Sequence, residues 1–207
     1  MNYTNLVQTI KDFLEDDSEE FSNEIPIIVT QAERIIFQRL PSLPCFRKVT
    51  TGTLSVGTSD YTIASARMIR NVSVTSSSNI IYLNHRVDSY LRDYWPNSST
   101  TGTPVMYSTK NATTSGLIIT LAPTPSATLG YTVEYSAPET GLSDSNANSW
   151  IGDNAENVLL SASLYESSAF LKSADTLKLY KEQFEEAVTL FQQEMGRNYT
   201  SEYEGGI

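Results

Sequence analysis

Apolar residues first recur at helical spacing near the N-terminus. Leu6, Val7, Ile10, Phe13 and Leu14 predict an amphipathic helix with Thr4 as its N-cap. The acidic run EDDSEE (15–20) follows and reads as a solvated loop between helices. A divalent-cation site is the sharper alternative, and no other residues converge on it. Ile28, Val29, Ala32, Ile35, Ile36 and Leu40 then mark a second helix, in which Pro26 fits only the first turn. Pro41 and Pro44 end it. Two helices joined by a short polar loop predict an αα-hairpin.

From Phe46 to Ala137 the period changes to alternation. Candidate strands are Arg47–Leu54, Tyr61–Ile63, Ile69–Thr75, Ile80–Leu83, Val105–Thr109, Leu117–Leu121 and Tyr131–Ser136, punctuated by Gly, Ser, Asn and Thr. One helical interruption, RVDSYLRDYW (86–95), stops before Pro96. In the last strand Tyr131, Val133 and Tyr135 should face one side, and Thr132, Glu134 and Ser136 the other.

Helical spacing returns after residue 137. Asp153 and Glu156 resemble a capping box opening a helix through Val158, Leu159, Ala162, Tyr165 and Ala169. Its small residues, Ser161 to Ser163 and Ser167 to Ala169, would let a neighbouring backbone approach closely. A break near Ser173–Asp175 precedes a long amphipathic helix whose inner stripe is Leu177, Tyr180, Phe184, Val188, Phe191 and Met195. The terminal NYTSEYEGGI has no helical period and is expected to be mobile in the isolated protein. The expected fold is α+β: a helical body (1–45 and 138–207, with a flexible tail at 198–207) carrying an inserted antiparallel β domain (46–137).

Charge sharpens this division. Residues 1–45 carry three basic and eight acidic side chains, and 137–207 carry four and twelve, whereas 46–136 carry seven and four. The net charge of −10 argues against a protein that grips nucleic acid by neutralising phosphates. Arg47, Lys48, Arg67 and Arg70, with Tyr61 and Tyr82 nearby, form at most a weak basic face, better suited to pairing with the acidic helices or with an acidic neighbour. A single cysteine, Cys45, excludes an intrachain disulfide and a Cys-based zinc site. With no basic leader or long apolar run, the chain is expected to be cytoplasmic at synthesis and to need no membrane.

Catalytic chemistry finds little purchase. His85 is the sole histidine, so it alone could serve a Ser-His or Cys-His nucleophile, and its place at a strand-to-helix corner suits a surface residue better. GTLSVGTS (52–59) passes close to a phosphate-binding loop, but Thr58 stands where the lysine must be. DSNANSWIGDNAE (144–156) begins like a calcium loop, then places Ser149 where a glycine must turn and Ala155 where a bidentate glutamate is needed. These asparagines read better as loop and cap residues.

Four segments, MNYTNLVQTIKDFLEDD, IPIIVTQAERIIFQRL with LPCFRKVTTGTL, LAPTPSATLGYTVEYSAPETGLS, and SWIGDNAENVLLSASLYESSAFLKSADTLKLYKEQFEEAV, follow one another in a recognisable order. In these the chain resembles the head-to-tail adaptor (connector or neck) proteins of tailed bacteriophages. The likeness runs from residue 2 to about 195 and is weakest over 55–100. It implies a structural virion protein with no catalytic residues, cofactor or metal. It also implies a ring of typically twelve copies below the portal protein, extending the DNA channel and offering a platform to a tail or nozzle protein. Double-stranded DNA would pass through without specific binding, at the head–tail junction of the virion after assembly in the host cytoplasm. On this reading Asp16, Asp17, Glu19 and Glu20 are expected to face the channel, and Tyr199, Tyr203 and Ile207 to anchor the portal. The alternatives are another tail-completion or baseplate component, or a carbohydrate- or receptor-binding β module.

Overall fold

The computed structural model describes residues 1–97, 99–112 and 115–204, with side chains as far as Gly196. The chain divides into two compact units, Met1–Pro41 with Pro138–Ile207, and Ser42–Ala137.

The first unit is helical. Helix α1 (Tyr3–Leu14) buries Tyr3, Leu6 and Ile10. Its N-cap is Asn2, whose side chain accepts from the Asn5 amide, so Thr4 lies inside the first turn. Glu15 closes the helix in the left-handed region (φ 51°), its amide donating to the Lys11 carbonyl. Helix α2 (Glu19–Arg39) starts earlier than its apolar stripe suggests, because Ser18 accepts from the Phe21 amide and caps it. Pro26 therefore sits well inside α2. It lies on the exposed side, where water can solvate the carbonyl that its missing N–H leaves free.

Helix α4 (Trp150–Asn154) and helix α5 (Glu156–Phe170) replace the single start expected at Asp153. Ser149 caps α4 by accepting from the Gly152 amide, and Asp153 lies within that short helix, so no capping box forms. Helix α5 is the centre of the unit, and α1, α2, α4 and helix α6 (Ala174–Glu204) all pack against it. The N-terminal pair α1 and α2 is thus joined chiefly through α5.

The small side chains of α5 find their use inside this unit. Ser161, Ala162, Ser163, Ser167 and Ser168 are buried, and three of the serines return their hydroxyls to carbonyls of their own helix. They are consumed by close helix packing and are not available to another chain. Helix α6 buries Tyr180, Phe184, Val188 and Phe191, with Leu177 and Met195 half-buried at the ends of the stripe. Its backbone continues to Glu204, beyond the point where the periodicity stops.

The second unit packs two four-stranded sheets face to face. One has the order β1 (Arg47–Leu54), β10 (Leu129–Ser136), β3 (Met68–Ser76), β4 (Asn79–Tyr82). The other runs β2 (Asp60–Ile63), β8 (Leu117–Ala122), β7 (Met106–Asn111), β5 (Asn84–His85). Leu54, Val72, Val74 and Val133 of the first sheet meet Ile63, Tyr107, Ile119 and Leu121 of the second. Burying each of the Leu, Val and Ile side chains among these contributes about 1.5–3 kcal/mol. The short helix α3 (Asp88–Tyr94) packs on β7, and β6 (Thr101–Gly102) pairs in parallel with β9 (Thr124–Pro125).

Strand β10 shows why the tyrosines alternate. Val133 is fully buried, and Tyr131 and Tyr135 pack on the core from its margin. Gly52 opposite leaves room for the Tyr131 ring, since a methyl group there would lie 2.6 Å from it. The alternation fails at the strand's end. Ser136 is buried too, opposite a bulge in β3 whose extra residue, Arg70, donates its Nε–H to the Ser136 hydroxyl at 2.7 Å.

Candidate interaction surfaces

The acidic run occupies the link between α1 and α2, and local chemistry accounts for part of it. Asp16 Oδ1 accepts the Ser18 amide at 2.9 Å, and this bond, with a smaller contribution from the Ser18 side chain, holds the Asp16 carboxyl below the usual range. Glu19 and Glu20 stand in the first turn of α2, where carboxylates favour the positive end of the helix dipole. Asp17, Glu19 and Glu20 are exposed and Asp16 is half-exposed. No cluster of three or more metal-ligating side chains occurs among the described residues.

Of the expected portal anchors, the Tyr199 and Tyr203 backbones belong to α6, while their side chains lie outside the described residues, as does Ile207 altogether. His85 lies exposed on β5, its ring tilted against Tyr107 with centroids 5.1 Å apart. The calcium-like segment is a turn: the Asn146 amide group donates to the Thr140 and Gly141 carbonyls, and Ser149 is spent as a cap.

The outer face of the first sheet is uncharged toward the β3–β4 turn, whereas Glu134 and Arg47 lie farther along it. The register aligns Thr51, Thr132, Ser73 and Tyr82 across it, and beside them Thr53, Gly130, Thr75 and Ile80. Ile80 and Tyr82 are each more than 60% exposed. On the second sheet's side, a cleft of about 310 Å³ includes Asp88, Arg92, Trp95, Lys110 and Thr120. Its charges are mutually compensated. Arg92 Nε donates to Asp88 at 2.9 Å, and Lys110 lies 3.9 Å from Asp88 and 3.6 Å from Asp60. The Arg92 hydrogen bond is the main reason that the Asp88 carboxyl titrates below its ordinary range.

One feature escapes pattern reading. Glu33, on α2, accepts the Leu142 amide at 2.9 Å, and Glu139 accepts the Trp150 amide at 3.1 Å. Together these two carboxylates hold the chain leading into α4 at Leu142 and at Trp150. Burial pushes the Glu33 carboxyl up to about 7, with the Leu142 N–H opposing the rise and the Glu139 charge adding to it. The second Glu139 oxygen is buried with no hydrogen-bond partner among the described residues.

The family described as SU10 adaptor protein matches residues 1–203, nearly the whole chain. The chain belongs to that family. It is therefore a phage head-to-tail adaptor, a structural and non-enzymatic protein. No individual curated protein matches it. The match includes residues 55–100, the part of the sequence expected to resemble the family least. Among the described residues no helix is long and apolar enough to cross a membrane.

Proposed function

We propose that the adaptor assembles as a ring, typically of twelve copies, below the portal vertex of the virion. The ring extends the DNA channel and gives the tail or nozzle protein its platform. The family match over residues 1–203 carries this reading. The charge division supports it, because a chain of net charge −10 does not hold DNA but can line a path along which DNA slides.

Asp17, Glu19 and Glu20, with Asp16, are assigned to the channel wall, where exposed carboxylates repel phosphate. Particles carrying neutral residues at these four positions are expected to eject DNA more slowly, measured as the ejection half-time at low salt. Unchanged kinetics would remove the cluster from the channel.

The C-terminal segment with Tyr199, Tyr203 and Ile207 is assigned to the portal contact. Truncation after Arg197 is expected to abolish co-sedimentation of the adaptor with purified portal. Full-length adaptor should co-sediment at a fixed ratio. Retained binding of the truncated chain would place the portal contact elsewhere on the adaptor, and failure of the full-length chain to bind would count against the portal partnership itself.

A further inference from the structure

We infer that copies of the adaptor join head to tail through an acidic groove of the helical unit that receives the basic edge of a second copy's β unit. This rests on the ring reading above.

The groove lies between the start of α5 and the outer side of α6 and has a volume of about 590 Å³. Val158, Ala187, Leu190 and Phe191 supply its apolar surface, with Leu190 58% exposed. Asp153, Glu156, Glu186 and Glu194 contribute its charge, and no Lys or Arg lines it. Glu156 is engaged by the Met1 ammonium at 3.2 Å. Among the described residues no ion pair engages Asp153, Glu186 or Glu194.

The β unit carries the complementary pattern. Strand β1 is an edge of its sheet, and Arg47, Lys48 and Val49 begin it. Arg47 pairs in register with Ser136, and Ser136 pairs with Met68 on the far side, next to Arg67. Val49 is 64% and Met68 42% exposed, so two apolar knobs stand beside the basic side chains, with the exposed Glu134 opposite Val49 the carboxylate that a docking groove must leave at its rim. No ion pair engages Arg47, Lys48 or Arg67 among the described residues. Basic residues on an edge strand also discourage unwanted strand pairing. That role alone leaves the exposed Met68 and Val49 unexplained.

A second copy is the occupant for two reasons. Copies of net charge −10 repel at long range, so a stable contact between them must set opposite local charges together. A ring also needs two different, mutually complementary patches on each chain, and a groove and a knob on separate units supply such a pair.

Two charge-reversed adaptors test this. The first carries Glu186→Lys and Glu194→Lys, the second Arg47→Glu and Arg67→Glu. Each alone would face like charge with like charge and is expected to lose ring formation, with self-association weakened about a hundredfold. Mixed in equal amounts they restore opposite charges at every interface of an alternating ring, and rings are expected to return. A misfolded variant could not give this rescue. Rings of the first variant alone at wild-type concentration, or no rescue from two folded variants, would overturn the groove contact while leaving the ring reading intact. Wild-type adaptor forming no ring, free or on portal, would overturn both.

Discussion

Replacing Glu33 by glutamine is expected to raise the thermal unfolding midpoint of the adaptor at pH 8 and to leave it almost unchanged at pH 4. The folded protein holds the Glu33 proton more tightly than the unfolded chain does, because burial raises this carboxyl from 4.5 to about 7. The neutral form's stabilisation is complete below pH 4.5 and is lost as pH rises through 7. That loss has an upper bound of about 3 kcal/mol, and water reaching the partly exposed group cuts it to roughly 1–2 kcal/mol. Glutamine keeps an oxygen to accept the Leu142 amide, and its NH₂ offers a donor near Glu139, whose second oxygen has no hydrogen-bond partner among the described residues. The midpoint should rise by roughly 2–8 °C at pH 8. Differential scanning calorimetry of both proteins from pH 4 to pH 8 checks this. Parallel stability curves across that range would mean that Glu33 binds its proton equally in the folded and unfolded chains, its charge well solvated in place.

Replacing Ser163 by leucine is expected to destabilise the helical unit by about 1–3 kcal/mol or more, because α5 has no room for the added carbons. Ser163 is fully buried on the helix that every other helix of the body packs against. Ser163→Ala is the control. It removes only a hydroxyl that returns to the Leu159 carbonyl of the same helix, so its effect should stay within about 1 kcal/mol. Urea titration followed by far-UV circular dichroism measures both. Were the small-residue face instead a contact between copies, the leucine variant would keep its monomer stability and lose only assembly.

Most of the architecture was legible because the apolar period is strong on both sides of residues 46 and 137. The α6 stripe and the seven longer strands follow directly from it. The errors fall where a polar side chain decides the outcome. Asn2 outcompetes Thr4 as a cap, and Ser18 starts α2 early enough to place Pro26 inside it. Ser149 creates a separate α4. Strands β5, β6 and β9 have two residues each, too few to show alternation.

Composition alone gave no sign of whether the serines of α5 faced the same chain or another one. That depends on α5 being central, a tertiary fact. Glu33 was hidden for a similar reason. It lies beside Ala32 and Ile36 at the margin of an apolar stripe, and only the returning chain at Leu142 buries it. The contact surfaces were legible as charge differences between the two units, but their pairing was not. The groove needs α5 and α6 together, and the basic edge needs Met68 brought beside Arg47 through β10.

The central claim is that this adaptor forms a ring on the portal. Electron microscopy with class averaging of full-length adaptor mixed with portal from the same phage tests it most directly. The account predicts a second ring stacked coaxially on the portal, with its copy number read from the end view. Bare portals at saturating adaptor would contradict it.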